Sequence, residues 1–187
     1  MGCKHISTAF AWIREVNPSS VLDVGVEFGR WGQLCCEHLD VRHDSHGEKD
    51  RRPRLVCIEG FEPMHPDFRY MYDDILTGDA LERIHDVGLF DLVVIGDALE
   101  RFTRVQSDCM LVNASAIAKA VLIVTTGSER SQGAMHGDGR ERLHAVTKFR
   151  HVRGMFRVFR HQMFENGGRG WMALIEGQRA RAGEGTP

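Results

Sequence analysis

Asp23, Gly25 and Gly29 close an apolar run, Val21-Leu22-Asp23-Val24, just ahead of Arg30-Trp31-Gly32, where an amphipathic segment begins. Such a passage is a buried strand turning sharply into a helix. A backbone stripped of Cβ atoms at the turn lets a nucleotide-like ligand come close. The glycine spacing narrows the ligand. A dinucleotide-binding turn needs G-x-G-x-x-G; counted from Gly25, its second and third glycine positions hold Glu27 and Arg30. No phosphate loop ending in Gly-Lys-Ser/Thr is present either. What remains is D-x-G-x-x-x-G. Further acids stand at similar places: Glu59 after Val56-Cys57-Ile58, and Asp97 after Phe90-Asp91-Leu92-Val93-Val94-Ile95-Gly96. An acid at the carboxyl end of a parallel strand lies where open α/β sheets bind ligands, and Glu59 there can accept both hydroxyls of a ribose. Glu62, three residues on, competes for that role. Asp79 opens a helix in Gly78-Asp79-Ala80-Leu81 and has two readings. It caps the helix, or it accepts from the exocyclic amine of an adenine while the Ala80 amide meets the ring. His136 and His144 are candidate proton acceptors near neutral pH, against the alternative of solvated surface histidines.

Hydrophobic spacing supplies the elements that position these groups. His5 to Val16 puts Ile6, Phe10, Ile13 and Val16 on one helical face, and Asn17-Pro18 stops it. Val21–Val24 is a short strand and Arg30–Leu39 a helix through Trp31, Leu34, Cys35 and Leu39. Val41 to Arg54 is too polar for core and reads as a long loop. Strands follow at Leu55–Ile58, Asp74–Thr77, Phe90–Ile95 and Val121–Thr125. A short helix is expected over Ala80–Val87, and another capped by Ser107 or Asp108 and running to about Ala118. Gly127 to Gly139 is irregular, Arg142–Phe149 helical, and Met155–Phe164 and Gly170–Glu176 form a hairpin around Glu165-Asn166-Gly167-Gly168-Arg169. Strands alternating with helices predict an α/β three-layer sandwich: a mainly parallel sheet with helices on both faces, closed by a C-terminal antiparallel hairpin. Residues 1–177 read as one domain and 178–187 as a disordered tail.

The order of these parts resembles the class I S-adenosylmethionine-dependent methyltransferases over about residues 19 to 176: strand with D-x-G, strand ending in Glu, G-D-A, strand with Asp97-Ala98-Leu99-Glu100, the apolar run Leu122-Ile123-Val124-Thr125-Thr126, then the hairpin. Similarity to a group of bacterial members extends through Gln132-Gly133-Ala134 and Glu141-Arg142. The resemblance implies a Rossmann-like methyltransferase fold that takes S-adenosyl-L-methionine and releases S-adenosyl-L-homocysteine. It implies cofactor contacts from Asp23, Gly25, Glu27, Gly29, Glu59, Asp79, Ala80 and Asp97, with Tyr72 and Arg101 toward the acceptor. His144 is favoured over His136 as base, because relatives often carry a histidine in that region. Tyr72 and Trp31 either line the pocket or belong to the core. The chain departs from the pattern twice. Glu27 stands where a second glycine is usual; turned inward it would repel the methionine carboxylate, whereas turned outward, or toward the ammonium group, it would not. Arg101 replaces the usual histidine after D-x-L-E, and either holds an anionic substrate or is a solvated residue at a helix start.

Composition bounds the rest. The chain has 187 residues, 42% hydrophobic and 27% charged, with a formal net charge of -2, which argues against a nucleic-acid-binding surface. Five cysteines are an odd number without ligand spacing and read as reduced thiols of a cytoplasmic protein. His43, Asp44 and His46 lack a third spaced ligand, so no metal is expected. No apolar run reaches the length of a membrane span or resembles a secretory signal. The expected function is methyl transfer to O or N of a small-molecule acceptor, such as a sugar or natural product, by a chain compatible with a homodimer. Two other readings stand beside it: a cofactor-binding scaffold without catalysis, and methylation of RNA or protein.

Overall fold

The structure, a computed structural model, describes residues 4–26, 29–39, 53–60, 69–125, 148–165 and 169–179. Glu27, Glu62, most of the expected 41–54 loop, His136 and His144 lie outside the described residues. The elements run α1 (Lys4–Val16), β1 (Ser20–Val24), α2 (Arg30–Leu39), β2 (Arg54–Glu59), β3 (Asp74–Thr77), α3 (Ala80–Arg83), β4 (Phe90–Gly96), a 3-10 turn (Leu99–Arg101), α4 (Arg104–Ile117), β5 (Ala118–Thr125), α5 (Phe149–Met155), β6 (Val158–Glu165) and β7 (Arg169–Glu176).

The seven strands form one sheet in the order β3-β2-β1-β4-β5-β7-β6. The first five are parallel; β7 runs antiparallel to β5, with Thr125 opposite Trp171, and β6 pairs antiparallel with β7. This is the predicted three-layer arrangement. Alternate strand residues feed two separate cores. Val21, Leu55, Cys57, Leu92, Val94 and Leu122 pack with Ala9, Trp12 and Ile13 of α1 and Trp31, Cys35 and Leu39 of α2. Leu22, Val24, Val56, Ile58, Val93 and Ile95 pack with Met110, Leu111 and Ala114 of α4 and Val152 of α5. Among the described residues no helix is long and apolar enough to cross a membrane.

At the amino ends of the strands one carboxylate pins three segments. Asp91 accepts from the Ser19 amide at 2.8 Å and pairs with Lys119 Nζ at 2.8 Å, while its own amide donates to Ser20 Oγ at 3.0 Å. Arg179 donates to the Phe90 carbonyl at 2.9 Å, so the chain just past Gly177 is docked on the sheet.

Four local expectations need correction. The helix expected over 80–87 stops at Arg83, because the Glu82, His85 and Asp86 amides donate to residues three back and tighten the chain out of α register. The cap of α4 is Thr103, not Ser107 or Asp108. Thr103 Oγ1 accepts from the Gln106 amide and the Gln106 side chain accepts in return from the Thr103 amide, a reciprocal capping box. Met155 ends helix α5 instead of opening a strand, and β6 begins at Val158. In α1 the most buried positions are His5, Ala9, Trp12 and Ile13, so the inward face is rotated from the Ile6-Phe10 stripe and includes a histidine.

Candidate active site

The parallel strands end together on one rim, and the expected ligand groups that the structure describes lie along it. After β1 the chain turns through Gly25 at φ 79° and Gly29 at φ 67°, both left-handed. The Gly25 amide donates to the Ile58 carbonyl at 3.0 Å and the Gly29 amide to the Val26 carbonyl at 2.8 Å, which holds the turn against β2 and launches α2. A Cβ on Gly25 would lie 2.8 Å from Ala98 Cβ. Glycine is therefore required there both for φ and for room. The result is bare backbone at the ends of β1 and β4.

Asp23 sits inside this turn, not on its surface. It is 2% exposed. Its Oδ2 accepts from the Tyr72 hydroxyl at 2.7 Å, and its Oδ1 is buried without a hydrogen-bond partner among the described residues. Burial pushes the Asp23 carboxyl up to about 7; the Tyr72 hydrogen bond pulls it down, the nearby Glu59 charge raises it again, and the Gly32 amide lowers it. Tyr72 is itself buried and spends its hydroxyl on Asp23, so its place is in the core beneath the turn. Trp31 is core as well, its indole lying where a Cβ on Gly96 would collide with it.

Glu59 ends β2 and is 8% exposed, one rung beyond the Val24–Ile58 pair. Asp79 lies past the adjacent β3, caps α3 and accepts from the Leu81 amide at 2.9 Å. Ala80 is the first residue of that helix. Asp97 follows β4 at φ 54°, a left-handed conformation rare outside glycine, and its amide donates to the Val124 carbonyl at 2.9 Å. Arg30, opening α2, reaches Asp97 Oδ2 at 3.7 Å. Arg101 ends the 3-10 turn, half-buried. The structure thus gathers Asp23, Gly25, Gly29, Glu59, Asp79, Ala80 and Asp97 at one rim. Among the described residues, no group of three or more His, Cys, Asp or Glu side chains is placed to hold a metal.

Two residues escaped sequence reasoning. Glu100 is buried and accepts from the Thr125 hydroxyl, tying the 3-10 turn to the end of β5; its signal was the second acid of D-x-L-E. His5 is 6% exposed, stacked on Phe164 with ring centroids 4.2 Å apart and planes 11° apart. Its signal was weak, only its place at i with Ala9, Trp12 and Ile13 at i+4, i+7 and i+8.

Strand order, parallel core, antiparallel closing hairpin and glycine turn after β1 together define the class I S-adenosylmethionine-dependent methyltransferase fold. Among solved structures, it is shared with magnesium protoporphyrin IX methyltransferase (ChlM) from Synechocystis PCC 6803 with bound SAH, at 13% identity and TM-score 0.61 over 92% of this chain and 82% of that one. A putative O-methyltransferase from Klebsiella pneumoniae is similar at 14% identity and TM-score 0.59, over 95% and 81% of the two chains. The N-terminal domain of EvdMO1 with SAH bound matches at 12% identity and TM-score 0.57, over 92% and 80%. At such identities the likeness is one of fold. No protein-family model matches the chain, and no curated protein matches it in sequence.

Proposed function

We propose that the chain is an S-adenosylmethionine-dependent methyltransferase acting on O or N of a small-molecule acceptor. The observation that carries this is the left-handed Gly25–Gly29 turn with the buried acid Glu59 ending the neighbouring strand. Ala98 takes the direction a Cβ on Gly25 would occupy, and a turn built on glycines suits a ligand pressed against backbone. In this reading Glu59 accepts the ribose hydroxyls, and Asp79 with Ala80 meets the adenine while Asp79 also caps α3. Gly25, Gly29 and Asp97 flank the methionine end, with Asp23 beneath them. Arg101 stands toward the acceptor. The cofactor would supply an electrophilic methyl group on sulfur; the chain's task is to bind it, align the acceptor in line and exclude water.

Isothermal titration calorimetry with S-adenosylhomocysteine tests the reading. Wild-type chain is expected to bind, and Glu59→Gln to weaken binding about tenfold, about 1.4 kcal/mol, with the thermal midpoint little changed. Absence of heat with either S-adenosylmethionine or S-adenosylhomocysteine would overturn it.

A further inference from the structure

We propose that two copies of this chain pair about a two-fold axis through the outer face of α4, with α3 of each copy lying over α5 of the other. Such a dimer stands whether or not the chain transfers methyl groups.

The outward side of α4 carries Val105, Cys109, Val112 and Ala116, all exposed, Val105 to 72% and Val112 to 43%. Their steps of four, three and four residues trace one stripe along the helix, the spacing at which paired helices meet. On the opposite side Met110, Leu111 and Ala114 are buried against the sheet. A helix apolar on both sides belongs in an interior. Its polar groups border the stripe without crossing it. On one flank Arg104 and Asp108 are held by His151 of α5, and on the other Asn113 Nδ2 lies 3.3 Å from His85 Nε2. An exposed apolar strip rimmed by polar groups is the anatomy of a protein–protein contact.

Charge selects the partner. α3 packs on one side of α4 and α5 on the other. Residues 79–86 hold three acids, Asp79, Glu82 and Asp86, against one base, Arg83. Residues 148–155 hold three bases, Lys148, Arg150 and Arg153, and no acid, and all three are exposed. The helical layer therefore runs from acidic through neutral to basic. A two-fold axis parallel to α4 turns this layer onto its own complement, so that the acidic flank of each copy meets the basic flank of the other. An axis running across α4 would set base against base. The parallel axis also stacks the α4 stripe on its own counterpart and brings Leu89, exposed after α3, toward the exposed Met155 of the other copy's α5. The extent fits as well. Three helices about 10 Å apart, beside an α4 of 14 residues that is about 21 Å long, span on the order of 600 Å², close to the roughly 800 Å² per copy of a stable interface.

Sedimentation velocity and light scattering on the full chain test the pairing. Wild type is expected at twice the chain mass at micromolar concentration, dissociating more as salt rises. Val112→Glu sets like charges face to face and should weaken the dimer about a hundredfold, with the melting temperature near wild type. Val105→Glu, at the most exposed position of the stripe, should do the same and keeps the test open should Val112→Glu fail to fold. Glu82→Lys and Arg150→Glu should each weaken the dimer about tenfold, and the chain carrying both should recover most of the loss, because each reversed charge again faces its opposite. Met163→Glu, on β6, should leave the mass unchanged. Any of four results overturns the dimer: a single chain mass for wild type at hundreds of micromolar, which would leave the face to a different protein; a dimer left intact in folded Val112→Glu or Val105→Glu; no recovery in the doubly reversed chain; or dissociation by Met163→Glu, which would move the contact to the β6 edge.

Discussion

The Asp23–Tyr72 pair shows how a single motif residue acquires its chemistry from burial. An aspartate in a turn exposed to water would be ionised at neutral pH, yet here burial outweighs the hydroxyl donor and raises the carboxyl to about 7. The folded chain then binds a proton between about 3.8, the ordinary value, and about 7 that the unfolded chain has lost. Stability therefore falls as pH rises through that window and levels off above it. Asp23→Asn should flatten this part of the stability–pH curve, as measured by urea unfolding from pH 4 to 8. Tyr72→Phe strands the carboxyl without its donor, should cost about 1–3 kcal/mol, and should extend the decline to higher pH. Gly25→Ala forces an alanine to φ 79° with its Cβ 2.8 Å from that of Ala98. It should cost about 1–3 kcal/mol by the same assay and abolish calorimetric binding of S-adenosylhomocysteine.

At the scale of elements, capping and end-pinning decide where helices and strands begin. Thr103 and Gln106 close the start of α4 by two reciprocal bonds, whereas Ser107 is turned inward with its hydroxyl toward the Leu99 carbonyl at 3.4 Å. Thr103→Ala should cost about 0.5–2 kcal/mol in urea unfolding, and Ser107→Ala should behave as a core change instead of a cap loss. Helix α5 is fastened to α4 by His151, whose Nε2 lies 2.7 Å from Asp108 Oδ1 and whose Nδ1 lies 2.8 Å from Arg104. At the opposite rim Asp91 joins β1, β4 and β5. Burial opposes its charge, but the Lys119 and Ser19 hydrogen bonds prevail and hold its carboxyl below the ordinary range. Its contribution is present above the unfolded value of 3.8 and lost as pH falls through the lower folded one. Asp91→Asn should accordingly narrow the gap in melting temperature between pH 7 and pH 3.

Across the whole molecule, protection should follow the sheet. Strands β1, β4 and β5 are central and buried on both faces, whereas β3 is a half-buried edge and β6 an edge with Phe159 and Met163 exposed. Native-state hydrogen exchange should find the slowest amides in the central three strands and the fastest strand amides in β3 and β6. This architecture was legible in the sequence, because strands buried on both faces read as near-continuous apolar runs, and Val21–Val24, Leu55–Ile58, Phe90–Ile95 and Val121–Thr125 are such runs, broken only by Asp23 and Asp91 and ended by Thr125. The glycine turn and the acids at strand ends were legible for a similar reason, since φ above zero and strand termini leave local marks. Helix boundaries were less so: Thr103, Ser107 and Asp108 are all acceptable caps by type, and only packing against Leu99 and His151 removes two of them. Contacts between distant segments left no local mark at all. That Tyr72 would spend its hydroxyl on Asp23, that Glu100 would meet Thr125, and that a histidine in the first turn of α1 would stack on Phe164 of β6 depends on strand order and on which helix covers which face. By itself the sequence determined the elements, their alternation and the identity of the rim groups, because those follow from periodicity and backbone sterics along the chain. The tertiary structure alone decided which polar groups are buried and what faces them, because burial and pairing are properties of segments meeting in space.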